Sequence, residues 1–152
     1  METKRIKNWP AWEHKDTFRL PVPKQEQDER RPVFWVVLKE GELFFVNESK
    51  EELDSVSSSS HGMNANYDEL ISCPDGAAVT YDCVEPGDAV KIEEFDQMLD
   101  SEWIAQVSIT LKSAQHGHIE IRLPWERGGV GSMVLLWDTG VEGHHIVVRR
   151  LS

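Results

Sequence analysis

Cysteine, long apolar runs and basic residues in the middle of the chain are all scarce in this sequence. Its 152 residues include only two cysteines, Cys73 and Cys83, which are too far apart for a C-x-x-C motif. Two cysteines are too few for the disulfide framework of a small secreted domain, and their spacing excludes paired-cysteine zinc and redox sites. We therefore expect both thiols to be reduced and structural.

Signals for membrane insertion, export and cofactor binding are also missing. No window holds the roughly 18 apolar residues that a membrane-spanning helix needs. The charged N-terminus is not followed by an apolar signal core, and the glycine-rich run at 128–131 is not followed by the Lys-Ser or Lys-Thr of a phosphate-binding loop. These absences predict a cytoplasmic protein with no membrane contact and no cofactor.

The composition is that of a globular protein, with 39% hydrophobic residues and six tryptophans. A chain of this length usually forms one domain, so we interpret residues 1–152 as a single domain. Residues 1–31 are polar, mixed in charge and rich in proline, which predicts an N-terminal arm. Because aromatic side chains are rarely left in water, we expect Trp9, Trp12 and Phe18 to dock this arm on the domain.

The first half of the chain predicts two hairpins. Residues 33–38 are apolar on both faces, as in a central strand, and Gly41 supplies the positive φ of a tight turn into a strand at 42–46. Residues 85–88 place Pro and Gly at the centre of a type II turn between strands at 77–84 and 89–92. The serine-rich run at 55–62 has no period, so we expect a mobile loop there.

The last fifty residues alternate between apolar and polar side chains. Strands at 105–112, 118–123, 133–137 and 146–148 predict a C-terminal β-meander. A capping box at 49–52 predicts one helical turn, and residues 67–71 and 93–100 have patterns of short helices. The predicted fold is mainly β (α+β): an antiparallel sheet, sandwich or partly open barrel with a C-terminal β-meander and one or two short helices.

The acidic residues are concentrated in the middle of the chain. Residues 40–102 hold 17 acidic and two basic side chains, whereas the rest of the chain holds 10 acidic and 14 basic ones. Such an acidic block disfavours direct contact with nucleic acid or anionic lipid and attracts basic proteins. A face that only keeps the protein soluble has the same composition, so this alternative stays open.

One cluster has the residue types of a metal or acid–base site. His116, His118 and Glu120 are spaced two apart, so in a strand they share one face, and His144 from another strand is a fourth candidate. The alternative is that His116 lies at a bend beside Gly117 and that the others are solvated. Because the longer spacings of known zinc motifs are absent, we predict no bound metal.

The single domain, the acidic block and the lack of a catalytic motif resemble the small acidic immunity proteins of bacterial toxin systems, such as contact-dependent inhibition and type VI secretion. The resemblance is one of layout and extends over the whole chain. It implies that the chain is not an enzyme and that it inhibits a cognate toxin, often a basic nuclease, by binding it directly. The carboxylates expected to contact the toxin's lysines and arginines are those of Glu85, Asp88, Glu93, Glu94, Asp96, Asp100 and Glu102.

Two other functions remain open from the sequence. One is a metal-binding protein or an enzyme that uses the His116, His118, Glu120 and His144 cluster. The other is a structural adaptor domain whose acidic surface is only solubilising.

Overall fold

The computed structural model describes residues 3–12, 31–64, 79–94, 103–124, 126–127 and 132–151. These residues contain β-strands and no helix, which confirms a mainly β fold. The strands are β1 (Arg5–Ile6), β2 (Pro32–Lys39), β3 (Glu42–Asn47), β4 (Leu53–Asn64), β5 (Val79–Val84), β6 (Ala89–Glu94), β7 (Trp103–Ser113), β8 (Gly117–Arg122), β9 (Glu126–Arg127), β10 (Met133–Trp137) and β11 (Val147–Arg150). No segment of this described part is a helix with the length and apolar character needed to cross a membrane.

The strands form two antiparallel sheets. The first has the order β1-β6-β3-β2-β10, and the second has the order β11-β8-β7-β4-β5 with β9 paired to β7. One cluster of buried side chains draws on both sheets, with Phe34 and Phe45 from the first and Val56, Ile109 and Ile121 from the second. The two sheets therefore pack face to face around a shared core, the arrangement of a β-sandwich.

The first predicted hairpin is confirmed. Strands β2 and β3 pair with Lys39 opposite Glu42, so the loop has only two residues. Both of them, Glu40 and Gly41, have positive φ (53° and 79°), which is the backbone that two-residue hairpin loops favour.

The expectation of a mobile loop at 55–62 is wrong, because these residues lie in β4. This strand is interior, with β5 on one side and β7 on the other, so its backbone is paired along both edges. Inward positions are filled by Val56, which is fully buried, and by Ser58, whose hydroxyl donates to the Ile92 carbonyl at 2.9 Å. The serines of β4 therefore lie on both faces of the strand, with Ser58 buried and Ser55, Ser57 and Ser59 partly exposed.

The predicted turn at 85–88 is confirmed, but the hairpin around it is wrong. The Asp88 N–H donates to the Glu85 carbonyl at 3.0 Å, and Gly87 has φ of 88°. However, β5 belongs to the second sheet and β6 to the first, so the turn crosses between sheets. The turn is bonded instead to the end of β3, where Gly87 N–H donates to the Asn47 carbonyl (2.7 Å) and Asn47 N–H donates to the Asp88 carbonyl (3.0 Å).

The four-stranded C-terminal meander is also wrong. Strands β7, β8 and β11 are neighbours as expected, but β10 pairs with β2 in the first sheet. Alternation predicts a strand but not its sheet, and β10 buries the consecutive residues Leu135 and Leu136. The loop after β10 folds back over the strand, where the Gly143 N–H donates to the Leu135 carbonyl at 2.9 Å. A Cβ at Gly143 would lie 1.8 Å from the Val134 carbonyl oxygen, so only glycine fits there.

The helical turn predicted at 49–52 is wrong as well, since these residues form a bend before β4. The side chain of Asn47 supplies partners that compete with a helix: its Oδ1 accepts from the Ser49 N–H at 3.0 Å and its Nδ2 donates to the Glu51 carbonyl at 3.0 Å. The helix predicted at 93–100 is wrong at its start, since Glu93 and Glu94 are the last residues of β6. Residues 95–100, and the other helical pattern at 67–71, lie outside the described residues.

Candidate functional site

The docked arm, residues 3–12, adds a strand to the edge of the first sheet. Strand β1 lies antiparallel to β6, and backbone bonds continue beyond it at both ends. The Lys91 N–H donates to the Lys4 carbonyl at 2.9 Å, and the Trp9 N–H donates to the Gly87 carbonyl at 2.9 Å. The start of the chain thus occupies a sheet edge that would otherwise be unpaired along these residues.

Two lysines of the docked arm reach carboxylates of the acidic block. Lys4 Nζ lies 2.8 Å from Glu42 Oε1, and Lys7 Nζ lies 2.9 Å from Asp88 Oδ2 and 3.1 Å from Glu85 Oε2. The hydrogen bond with Asp88, then that with Glu85, raises the pKa of Lys7. Both lysines are about half exposed, so each pair is screened by water and salt.

Arg5 lies between these lysines and binds the end of β5. Its guanidinium donates to the carbonyls of Asp82 (2.6 Å) and Cys83 (2.8 Å), and one of its nitrogens lies 3.8 Å from Asp88 Oδ2. At this point Cys83 has φ of 51°, and the alternation of buried and exposed residues in β5 breaks between the buried Tyr81 and Val84. Arg5 therefore binds an irregular stretch of β5 that sequence alternation does not reveal.

Asp88 is the least accessible carboxylate of this site. Its side chain is 2% exposed, and within the described chain its cation contacts come from Lys7 and Arg5 of the docked arm. It also accepts the Glu85 N–H at 3.1 Å. A carboxylate buried to this extent requires compensating positive charge. In the described chain that charge comes from the docked arm and not from the other strands of the sandwich.

Glu42 connects the docked arm to a buried lysine of β6. Its Oε2 lies 2.8 Å from the Nζ of Lys91, whose side chain is 2% exposed and whose Nζ also lies 3.0 Å from Glu94 Oε1. Burial lowers the pKa of Lys91, but the hydrogen bonds with Glu42 and Glu94 outweigh it, so the pKa is raised. The bond from Lys4, followed by that from Lys91, lowers the pKa of Glu42.

The Tyr81 hydroxyl joins the second sheet to this network. It donates to the Lys91 carbonyl at 2.6 Å and accepts the Lys4 N–H at 3.1 Å. Burial raises the pKa of Tyr81, opposed by the Lys4 N–H and by the charges of Lys91 and Arg5. The arm is thus anchored to both sheets at once.

An apolar cluster on the outer face of the first sheet receives the tryptophans of the docked arm. The cluster consists of Trp35, Phe44, Val46 and Ala89. The Trp9 ring lies 5.3 Å from that of Phe44, and the Trp12 ring meets Trp137 edge to face at 5.3 Å. Glu48 Oε1 accepts both the Trp12 backbone N–H and the Trp35 indole N–H. Trp9 and Trp12 therefore pack on the sandwich as the sequence predicts, while Phe18 lies outside the described residues.

The carboxylates that were predicted to contact a partner differ in exposure and in the cations that they bind. Glu85 and Glu94 are at the surface, each paired with a lysine of the chain, and Glu93 is partly exposed, with one oxygen accepting the Glu94 N–H. Asp88 is buried beneath the docked arm and has no exposed face for another molecule. Asp96, Asp100 and Glu102 lie outside the described residues.

A second acidic group, which the sequence analysis did not single out, lies where β4 meets β5. Glu52, Asp54 and Asp82 are exposed, and Asp82 pairs in register with Ser55, the residue after Asp54. No ion pair joins these carboxylates to a lysine or arginine of the described chain. The free thiol of Cys83 lies among them, and its hydrogen bond with Glu52, together with that negative charge, raises its pKa.

The His/Glu cluster is not assembled. His116 turns toward the sandwich interior, with its ring 5.1 Å from Phe34 and its Nδ1 3.3 Å from Glu51 Oε1. Glu120 lies on β8, next to Arg122 at 2.6 Å. The register between β8 and β11 places Arg149 opposite Glu120.

The remaining histidines do not complete the site either. His118 is on β8, and the ring of His144 lies 3.9 Å from that of His145, tilted by 58°, in the loop after β10, where His144 also lines a pocket of about 440 Å³. Among the described residues, no group of three or more His, Cys, Asp or Glu side chains is arranged to hold a metal ion. His116 lies in a turn and Gly117 has φ of 70°, so the alternative interpretation of a bend beside Gly117 describes this segment.

Sequence reasoning missed the basic side of the site. The signal was present, because Lys4, Arg5 and Lys7 flank an apolar Ile6 in the alternation of a short strand. Four residues of this kind are not conspicuous within the polar, proline-rich segment 1–31.

Comparison with family models, with curated proteins and with solved structures found no match.

Proposed function

We propose that this chain is an acidic binding protein that captures a basic protein, and that the partner is the toxin of a bacterial toxin–immunity pair. The chain would inhibit the toxin by occupying its surface directly, with no chemical step. The partner class is a basic protein, such as a nuclease domain, rather than nucleic acid or a membrane.

One observation carries the proposal: the carboxylates of Glu52, Asp54 and Asp82 are exposed, close in register and without a lysine or arginine partner in the described chain. A cationic surface would neutralise these exposed charges on binding. Glu85, which follows β5, is also exposed, but it is paired with Lys7 of the arm. Asp88 is covered while the arm is docked, so it is not part of this exposed group.

The test uses the C-terminal domain of a large secreted protein encoded next to this chain as the candidate toxin. Association rates are measured by surface plasmon resonance over a range of salt concentrations. We expect a one-to-one complex whose association rate falls steeply with salt, because exposed charges are screened over about 8–10 Å at moderate ionic strength.

A matched pair of variants locates the effect. Replacing Asp54 and Asp82 with asparagine should slow association several-fold, whereas Asp138→Asn with Glu142→Gln, which neutralises two exposed carboxylates of the loop after β10, should change it little. Absence of a complex, or association that is insensitive to salt and to both variants, would contradict the proposal.

A further inference from the structure

The docked arm has the chemistry of a bound ligand. It is an extended segment that pairs with a sheet edge, places three cations on carboxylates and carbonyls, and lays a tryptophan on an apolar cluster. Strand addition of this kind is a general mode of peptide recognition, in which the backbone supplies affinity and the side chains supply specificity. We call the surface beneath it the arm site, defined by Glu42, Phe44, Glu85, Asp88 and the edge of β6.

We propose that the arm site is a recognition site for a basic extended segment of the partner protein, which binds there by replacing the docked arm. The inference rests on the proposed function, since it assigns the place at which the basic partner is held. It predicts a segment with cationic side chains on both faces of a short strand, followed by an aromatic residue.

The first step of the argument is the demand for positive charge. Asp88 is 2% exposed, and in the described chain its cations come only from the arm. The 2% exposure is that of Asp88 under the docked arm, so departure of the arm would remove both of its cations and uncover the carboxylate. A segment that brings replacement cations restores the ion pairs and the cover together, which favours basic segments at this site.

The second step is that the ion pairs formed by the docked arm are individually weak. Lys4 and Lys7 are 46% and 53% exposed, and Arg5 is 31% exposed, so the arm contributes ion pairs of the kind that water and salt weaken most. Strand β1 itself is only two residues long. A partner segment that buries its cations more fully, within a larger interface, would form stronger ion pairs with the same carboxylates than the arm does.

The third step is the advantage that the arm has by being tethered. A covalently linked segment competes at an effective concentration that is commonly in the millimolar range, so a free segment of equal intrinsic affinity binds weakly to the intact chain. Weakening the arm in cis must therefore reveal binding in trans. This consequence separates a recognition site from a segment that is simply part of the fold.

The experiment uses the full chain carrying Lys4→Glu and Lys7→Glu, and a synthetic peptide of residues 1–12 as the probe. The matched control reverses two exposed charges on β11, Arg149→Glu and Arg150→Glu. Circular dichroism verifies that both variants are folded. Amide hydrogen exchange at Lys91, whose N–H is bonded to the Lys4 carbonyl, reports whether the arm is docked.

We expect faster exchange at Lys91 in the arm variant only, and peptide binding at least about tenfold tighter than to the wild-type chain. Bound peptide should restore protection at Lys91, and added salt should weaken its binding. A peptide carrying Arg5→Glu and Lys7→Glu should not bind. Exchange that speeds up while the peptide still fails to bind would overturn the proposal and leave the arm as a structural element.

Three further outcomes separate this inference from the proposed function and from self-association. A toxin that binds the chain without displacing the peptide would overturn the assignment of the site and leave the function standing, whereas peptide binding with no toxin binding would do the reverse. A wild-type dimer in sedimentation that the peptide dissociates would assign the site to the arm of a second copy and overturn the inference of a different partner.

Discussion

At the scale of single residues, Asn47 holds the corner where the two sheets meet. It is fully buried, and its Nδ2 donates to the carbonyls of Glu51 (3.0 Å) and Val84 (3.1 Å), while its Oδ1 accepts the backbone N–H and the hydroxyl of Ser49. Its backbone bonds the turn that precedes β6. One side-chain amide thus satisfies polar groups from the end of β5 and from the connection between β3 and β4.

Replacement of Asn47 with alanine should lower the free energy of unfolding by about 2–4 kcal/mol, because it leaves several buried donors and acceptors without partners. Ser49→Ala, which removes one hydroxyl from the same group, should cost about 1 kcal/mol. Urea denaturation followed by circular dichroism measures both. Equal effects of the two substitutions would show that the amide is not the centre of the corner.

Some positive φ angles could be predicted from the sequence, whereas another, and the burial of one charge, could not. The positive φ of Gly41 and Gly87 was expected because short turns need residues that tolerate it. The positive φ of Cys83 had no signal, because nothing in a cysteine indicates a left-handed backbone. The burial of Asp88 was equally hidden, since a sequence displays a charge but not the partner that allows it to be buried.

At the scale of elements, periodicity identified strands better than it assigned them to sheets. The residues of β7 and β8 alternate cleanly, and they pair as expected. Strands β5 and β6 were recognised as strands around a real turn, yet they belong to different sheets, because the bonds that decide this run from the turn to Asn47. Strand β4 was missed because small hydroxyl side chains are sufficient for an interior strand whose two edges are both paired.

The docked arm should loosen at both ends of the pH scale. The folded pKa of Glu42 is lowered, so its stabilising effect is complete above its ordinary value of 4.5 and is lost as the pH falls through the folded value. The folded pKa of Lys7 is raised, so its contribution is complete below 10.5 and is lost as the pH rises through the folded value. Between these limits, docking should depend little on pH.

Proton exchange at Lys91 and chemical shifts of the Trp9 indole, followed by NMR from acid to neutral pH, test this expectation. Glu42→Gln should weaken docking of the arm at neutral pH, because Lys4 and Lys91 lose an ion-pair partner. It should also reduce the loss of docking at acid pH, because glutamine does not titrate. Glu40→Gln, at the exposed tip of the neighbouring hairpin, is the control and should change neither. A profile that is identical in the wild type and in Glu42→Gln would contradict the role assigned to Glu42.

At the scale of the whole molecule, the acidic block is partly neutralised from within. The first residues of the chain are basic, and they fold onto β6 and the turn before it. The single domain with residues 1–31 as an arm stays a prediction, as do the cytoplasmic location and the toxin partner. The candidate site could not be predicted from composition, because it depends on which acidic residues remain without cations after the arm has docked.

The shared core predicts that the two sheets unfold together. Phe45 of the first sheet and Ile109 of the second are both fully buried in one cluster. Phe45→Ala should cost about 3–5 kcal/mol and Ile109→Ala about 2–5 kcal/mol. Each variant should still unfold in a single transition by calorimetry. Two separate transitions in either variant would mean that the sheets are independently stable.

The aromatic residues around the docked arm have one practical consequence. Of the six tryptophans, Trp9, Trp12, Trp35 and Trp137 all lie at or beside the outer face on which the arm packs. Indole emission responds to polarity and to neighbouring rings, and here most of the chromophores surround a single contact. The unlabelled protein therefore carries an optical reporter of the exchange at its own sheet edge, readable in dilute solution and in real time.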